Sequence, residues 1–594
     1  MEKRLNDADL SACNVDEQYF LFYQVWKELT NTHTMDSYQY RMMNLLSLIK
    51  EFISVIDGFL SKSIRHDVHI KNCREELLYL AKSDIVMKEK FPRIQKTLLN
   101  IIGNTKTDSE SALKALKYKL SYLFNDLCPT YFTELFNTVE ENIKNADADL
   151  IIKNTDTLIS FCVFAGWSVQ ALNKKIAVLN GSKEDAQKWK SFRYRLCNSQ
   201  KNQYFIYIPV MDVGYKDSSV PLGEELKKLG FTIKLGSEIQ SICHSKKNVG
   251  NQFIEITAKA LDFYSAAEQA LRIYGNLYDS LSFYKYISPW NRGDLVLYVY
   301  CDKFQNEQIK AIDSKTLYKT YDYQENAKTF LSVSSKVARE FSHFSLASRL
   351  SVAYSYANMG KISNVLEEKF LSTWVALESL CKTDINNCII DNIVSVVPHA
   401  LCNRYVYWHY RNFMDDCVRC GVDFVFSTGS FDIKKMRNEE KVRKLIEIIW
   451  DDVFKAELEV KCSCNQLLAE RFKYICKLSN DGKFLKEEIK SFNQNVTWHI
   501  YRLYRIRNNL AHSGFNERDV LLRCTEHLND YLSKFVSEII MCWSKGTKND
   551  ITQILELLKD NYATFMSEDN LEIGNILKFV HKSGIIPFLT KALE

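Results

Sequence analysis

Apolar residues recur every three or four positions along most of this chain, and that spacing predicts helices rather than strands. Over residues 1–180 the pattern is plainest at Tyr40–Ile56, Leu77–Val86 and Leu113–Leu123, with polar turn clusters such as Asn104–Asp108 between them. No fixed-period repeat is present, so this stretch reads as a helical scaffold or recognition domain, bounded at 1–185.

Near residue 180 the period changes. Asn202–Val210 is rich in aromatic and β-branched residues, and Gly230–Leu235, Phe253–Ala258 and Leu295–Tyr300 follow in the same style. The third of these runs feeds a strong helical pattern from Tyr264 to about Tyr284. Short strands interleaved with a helix predict a small α/β or α+β module over 186–325.

From 326 onward the helical period returns. Helices are expected at Lys328–Glu340, Leu346–Met359, Ile362–Leu380, Pro398–Tyr410, Asn438–Val460, Leu467–Leu478 and Lys483–Asn495. Another covers Trp498 to about His512, where Ser513-Gly514 breaks it. Asn516-Glu517-Arg518-Asp519 reads as the cap and first turn of a helix running to about 543. Residues 546–594 read as a helical tail. The fold class expected is therefore mainly α, with a small mixed module in the middle and a helical bundle over 326–545.

Composition changes this picture little. In 594 residues there are only 7 Pro and 19 Gly, which agrees with a helix-dominated chain. A formal net charge of +5, from 78 Lys and Arg against 73 Asp and Glu, is too mild to imply nucleic acid by itself. Any such site must come from local clustering. The chain opens Met-Glu-Lys-Arg-Leu-Asn-Asp, which does not read as a secretion signal, and no apolar run nears the roughly 18 residues of a membrane span. The 17 Cys accordingly read as reduced residues of a cytoplasmic protein.

The chemistry is concentrated in Arg507-Asn508-Asn509-Leu510-Ala511-His512. Each helical residue turns about 100°, so Asn508 and His512 share a face and Arg507 lies beside them. A histidine with an ordinary pKa near 6.5 can take or give a proton at neutral pH. An arginine fork can hold a phosphate and stabilise charge in a transition state. RNA supplies its own nucleophile in the 2′-hydroxyl, so cleavage by such a set requires neither metal nor cofactor.

Arg-Asn-x3-His at a helix end resembles the Arg-x4–6-His signature of the HEPN superfamily, whose members are often ribonucleases. Upstream, Trp374-Val375-Ala376-Leu377-Glu378-Ser379-Leu380 resembles the helix that supplies a glutamate to that motif in Apea-like prokaryotic members. The likeness covers about 335–545, with an insertion at about 383–490 between the motifs. It implies a catalytic set of Arg507, His512, Asn508 and Glu378, with His512 moving protons, Arg507 holding the scissile phosphate and Glu378 fixing the arginine. It implies cyclic-phosphate products and a homodimer, since such nucleases face two motifs across a two-fold axis. A toxic effector in anti-phage abortive infection, answering a phage-derived trigger, is the biological role implied. Arg502, Arg505 and Arg518, interleaved with Tyr501 and Tyr504, would contact RNA through phosphates and bases.

Other readings compete. A HEPN-type bundle can serve as a non-catalytic regulatory module, or as a toxin paired with a nucleotidyltransferase antitoxin. The latter branch continues its motif as His-x-Tyr, whereas this chain has His512-Ser513-Gly514. A DNA-binding or structural helical protein is a third alternative. Arg404 and His409 form a second Arg-x4-His, set among aromatics and without the polar neighbour. Cys417, Cys420, Cys462 and Cys464 offer four thiolates for zinc, at a spacing unlike that of known sites. His499 reads as a packing residue. Lys434, Lys435, Arg437, Lys441, Arg443 and Lys444 read as a solvated face or an RNA rim.

Overall fold

The computed structural model describes residues 3–32, 34, 38–39, 41–64, 66–104, 109–181, 185–198, 200–210, 226–227, 231–243, 252–283, 295–301, 303, 309–317, 335, 337, 345–363, 365–383, 388–427, 429–513, 518–544 and 550–567. The expected turn at 104–108, the cap at 516–519, the helix at 328–340 and the end of the tail fall wholly or largely outside them.

The described chain is mainly helical. Its first part contains α1 (Asp7–Ala12), α2 (Phe20–Leu29), α3 (Leu45–Leu60), α4 (Val68–Ser83), α5 (Ile85–Lys90), α6 (Pro92–Asn104), α7 (Glu110–Lys144), α8 (Ala148–Phe164), α9 (Val169–Lys175) and α10 (Asp185–Cys197). Several helices start where a side chain satisfies the free backbone N–H groups of the first turn. Asn44 and Ser47 form a reciprocal capping box on α3, and Ser109 and Asp147 cap α7 and α8. These helices share one apolar core that includes Trp26, Phe22, Phe52, Tyr131 and Phe136.

The middle module is a five-stranded sheet made of β1 (Asn202–Val210), β2 (Thr232–Leu235), β3 (Gln252–Ala260), β4 (Val296–Tyr300) and β5 (Ile309–Asp313), in the order β2-β3-β1-β4-β5. Every pairing is antiparallel, with Ile206 opposite both Ile256 and Val299. The module is thus α+β. The strand β5, Ile-Lys-Ala-Ile-Asp, is too short and too polar to stand out by pattern. Two helices belong here, α11 (Gly236–Cys243) and α12 (Phe263–Phe283), and α12 lays Ala266, Ala267 and Ala270 on the sheet. Asp262 joins the module to the first core by accepting from the backbone N–H and hydroxyl of Ser168, at 2.9 and 2.7 Å.

The remaining helices are α13 (Ser345–Ile362), α14 (Leu366–Cys381), α15 (Ile389–Cys402), α16 (Tyr405–Arg419), α17 (Asn438–Trp450), α18 (Asp452–Cys462), α19 (Gln466–Asn480), α20 (Gly482–Ser513), α21 (Arg518–Ser544) and α22 (Ile551–Ser567), with a small hairpin of β6 (Val425–Phe426) and β7 (Gly429–Ser430). Four boundaries differ from those expected. Pro398 lies inside α15 rather than opening a helix. Asn438–Val460 is two helices, because Asp451 turns its carboxylate onto the N–H groups of Val453 and Phe454 and starts α18. Lys483–Asn495 and the Arg507 segment are one continuous helix, α20. Finally, α22 is not a free tail: Ile551, Ile554, Leu555 and Leu558 enter the bundle core.

Residues of α15 also enter that core, so the separate core of the insertion begins at Cys402 and runs to Ile489. Among the described residues no helix is long and apolar enough to cross a membrane.

Candidate functional site

The helix α20 carries the candidate motif and owes its place to one stripe. Val496, Ile500, Leu503, Ile506 and Leu510 repeat at helical spacing and are all buried in the bundle core. The other faces of the helix meet very different surroundings, and these decide what each polar residue can do.

Arg507 and Glu378, 129 positions apart in sequence, meet at 3.8 Å between Nε and Oε1. The Glu378 carboxylate is held from its own helix, where the Trp374 indole N–H donates to Oε1 at 2.6 Å. Trp374 is fully buried and fixes the carboxylate against the core. Arg507 also donates from Nη1 to Asn508 Oδ1 at 3.2 Å. Its side chain remains 33 % exposed, against 17 % for Glu378. An open guanidinium oriented by a carboxylate and an amide is suited to receive an anion. The backbone of α20 stays helical through His512 and Ser513, which puts position 512 one turn beyond Asn508. The side chains of His512 and Arg518 lie outside the described residues.

Of the residues expected to contact RNA, three are committed elsewhere and Tyr504 is half-buried. Arg502 is only 3 % exposed and donates from Nε to both Glu51 oxygens, at 3.0 and 2.8 Å, and from Nη2 to Glu76 at 2.6 Å. Arg505 is buried too and gives Nη2 to Glu51 at 2.6 Å. Burial by itself would raise the Glu51 carboxyl, but the two guanidiniums outweigh it and hold the group below the usual carboxylate range. Tyr501 is buried with its ring edge against His69, and Tyr504 stacks on that same imidazole at 5.9 Å and 17°. These four side chains pack the motif helix onto α3 and α4. A buried, ion-paired guanidinium and a buried ring are closed to an RNA strand, so the expectation for Arg502, Arg505 and Tyr501 is corrected, while Tyr504 stays half-buried beside His69.

The rival constellations are internal as well. Arg404 is buried with Nε 2.6 Å from Glu538. His409 lies between Tyr405 and Tyr474, and burial pushes its imidazole down to about 3. That leaves it neutral and half-buried among aromatic rings, unlike a working acid or base. His499 bonds Tyr531 through Nδ1 at 2.8 Å and packs on His527. Cys417, Cys420 and Cys462 are buried, Cys464 is exposed, and burial raises the Cys417 thiol well above its usual value while it bonds the Cys462 thiol. Among the described residues no group of three or more His, Cys, Asp or Glu side chains could hold a metal ion. In the basic stretch Lys441 is buried against Asp415, Lys435 pairs with Asp432 in solvent, and Lys444 pairs with Glu447.

Sequence reasoning missed Glu51, His69 and Glu76, more than 400 positions before the residues they hold. No local pattern relates them to the motif. Their only sequence trace is that each interrupts an otherwise amphipathic helix at a position the packing buries or half-buries. Comparison with protein-family models, curated proteins and solved structures gives no match for this chain.

Proposed function

We propose that the chain is a metal-independent endoribonuclease of HEPN type. The observation that carries this reading is the Glu378–Arg507 contact at the end of α20, where Arg507 keeps a third of its surface open while Arg502 and Arg505 on the same helix are buried. In the proposed reaction His512 takes the proton of the 2′-hydroxyl or returns one to the leaving 5′-oxygen. Arg507 binds the scissile phosphate and neutralises the charge that develops on it. Asn508 and Glu378 orient Arg507. The products are a 2′,3′-cyclic phosphate and a 5′-hydroxyl, which balances without any added reactant. One motif per chain supplies half of a two-fold site, so the active species is a homodimer. A toxic role in anti-phage defence follows from the resemblance of the motif.

A second reading has its own observation. With Tyr501, Arg502 and Arg505 consumed internally, the motif has fewer RNA-contacting groups than its sequence offers. That favours a HEPN-type bundle acting as a binding or regulatory module.

One experiment separates the two. Purified wild type, His512→Ala and Arg507→Ala are incubated with total RNA in EDTA and the product ends are identified. The nuclease reading predicts cyclic-phosphate ends from wild type and losses of about 100-fold or more in each variant. Cleavage that persists without His512 would falsify it. Three inert proteins, with equal growth inhibition in cells, would favour the binding module.

A further inference from the structure

Positive charge gathers on one pair of helices far from the motif in sequence. Residues 92–122 hold six Lys and Arg, at 93, 96, 106, 114, 117 and 119, against two acids, Asp108 and Glu110. That net +4 stands beside a formal +5 for all 594 residues. The stretch covers α6 and the start of α7, which pack on each other. Their inward positions, Leu98 and Ile102 on α6 and Leu113, Leu116 and Leu120 on α7, are buried in the first core. The cations take the other faces, and Arg93, Lys96, Lys114 and Lys119 are all exposed.

Two tyrosines stand among them. Tyr118 and Tyr122 are 72 % and 71 % exposed, the most open aromatic side chains among the described residues. Being four positions apart, they share one face of α7, with Lys114 one turn before Tyr118. Among the described residues neither tyrosine has an aromatic or hydrogen-bonding partner. The nearby acids are already faced by lysines: Asp57 of α3 takes Lys117 at 2.6 Å, and Glu110 lies 3.8 Å from Lys114. Asp126, one turn after Tyr122, ends the basic face. Arg93, Lys96 and Lys119 are left without a carboxylate partner among the described residues.

We propose that this face of α6 and α7 seats single-stranded RNA, with bases stacked on Tyr118 and Tyr122 and phosphates at Arg93, Lys96 and Lys119. Open rings flanked by cations are the parts of a single-strand surface, whereas a duplex keeps its bases stacked on each other. An anionic membrane fits less well, because no exposed Leu, Ile, Phe or Trp accompanies the tyrosines on these two helices. The surface is also joined to the motif-bearing helix. The same α3 that takes Lys117 holds α20 through Glu51, and one cavity of about 820 Å³ is lined by both Asp57 and Asn509, two residues beyond Arg507. The face thus supplies contacts that the buried Arg502, Arg505 and Tyr501 do not. The choice of RNA over DNA rests on the nuclease reading, and the single-strand surface itself does not.

Fluorescence anisotropy of a labelled single-stranded RNA of about 20 nucleotides, titrated with full-length His512→Ala protein so that binding is read without turnover, tests this. Replacing Tyr118 and Tyr122 together by Ala weakens binding at least about tenfold, while Phe at both positions keeps it. Lys96→Gln with Lys119→Gln lowers the slope of log affinity against log salt by about 1.4, at roughly 0.7 per phosphate contact. All four positions are exposed on helices, so the far-ultraviolet circular dichroism stays unchanged. No binding at about 100 µM protein in low salt overturns the proposal, as does undiminished binding by the double Ala variant. A duplex of the same sequence bound as tightly, or binding to phosphatidylserine vesicles in place of RNA, overturns it too. A DNA strand bound more tightly than the RNA overturns RNA as the ligand. Binding that depends on the tyrosines while wild type cleaves nothing keeps this surface and sinks the nuclease reading.

Discussion

Arg502 and Arg507 stand five residues apart on one helix and have opposite fates. Arg502 is enclosed by Glu51 and Glu76, and removing it strands the Glu76 carboxylate in a buried site where burial already pushes its proton affinity up. Breaking a buried pair from one side costs about 3–5 kcal/mol, because the remaining charge has neither water nor partner. Arg507 meets Glu378 at longer range and partly in solvent, and such a pair contributes at most about 1 kcal/mol. Urea denaturation of Arg502→Met and Arg507→Met should therefore separate by at least about 2 kcal/mol, with Arg502→Met the weaker protein. Adding Glu76→Gln to Arg502→Met should restore part of the loss. Equal stabilities would mean that the ion pairs of Arg502 are not formed in solution.

At the scale of elements, α13 and α14 pack closely enough to require a glycine. A Cβ built on Gly360 would stand 3.0 Å from Thr373 Oγ1 and 3.1 Å from the Lys369 carbonyl oxygen. Neither atom is free to move, since Thr373 donates to that same carbonyl at 2.7 Å and bonds Asn529 of α21 at 3.0 Å. Helix propensity alone would make Gly360→Ala stabilising by about 1 kcal/mol. Overpacking against backbone costs about 1–3 kcal/mol, so the expected outcome is a net destabilisation, measured as a lower denaturation midpoint. A more stable variant would show that the two helices can part without cost. The α13–α14 contact bears on function, because α14 carries Trp374 and Glu378 to the end of α20.

At the scale of the whole molecule, the first helical region grips the C-terminal half at two places. Glu51, His69 and Glu76 hold α20. Arg4 and Glu28 join Asp416, Arg419 and Arg471 of the insertion in a buried cluster. Neutral histidines, His69 and His499 buried and His409 half-buried, lie at or near these junctions. Burial pushes His69 and His409 down to about 3, and His499 well below the usual value near 6.5. The unfolded chain therefore binds more protons than the folded one between about pH 6.5 and 3. Stability present above pH 6.5 is lost as the pH falls through that window, by up to about 1.4 kcal/mol per pH unit for each histidine. His69→Phe, which keeps a flat ring against Tyr504, should flatten the decline between pH 6.5 and 5 in a series of denaturation midpoints. An unchanged slope would mean that His69 is hydrated and titrates normally.

The sequence by itself determined what depends on neighbours within a few turns of chain. The helical period, the four clearest strands and the apolar stripe of α20 all follow from local spacing, and so does the presence of Arg507, Asn508 and His512 on adjoining positions of one helix end. It did not place the short strand β5 or the break at Asp451, where the signals are one or two residues long. Tertiary structure alone decided which of the basic and aromatic residues around the motif remain open. Four arginines and two tyrosines near residue 507 look alike as a string of letters. Only the arrival of α3 and α4, from more than 400 residues away, turns Arg502 and Arg505 into buried counter-ions and Tyr501 and Tyr504 into packing for His69. The exposure of a charge is set by what packs over it, and local sequence does not record that.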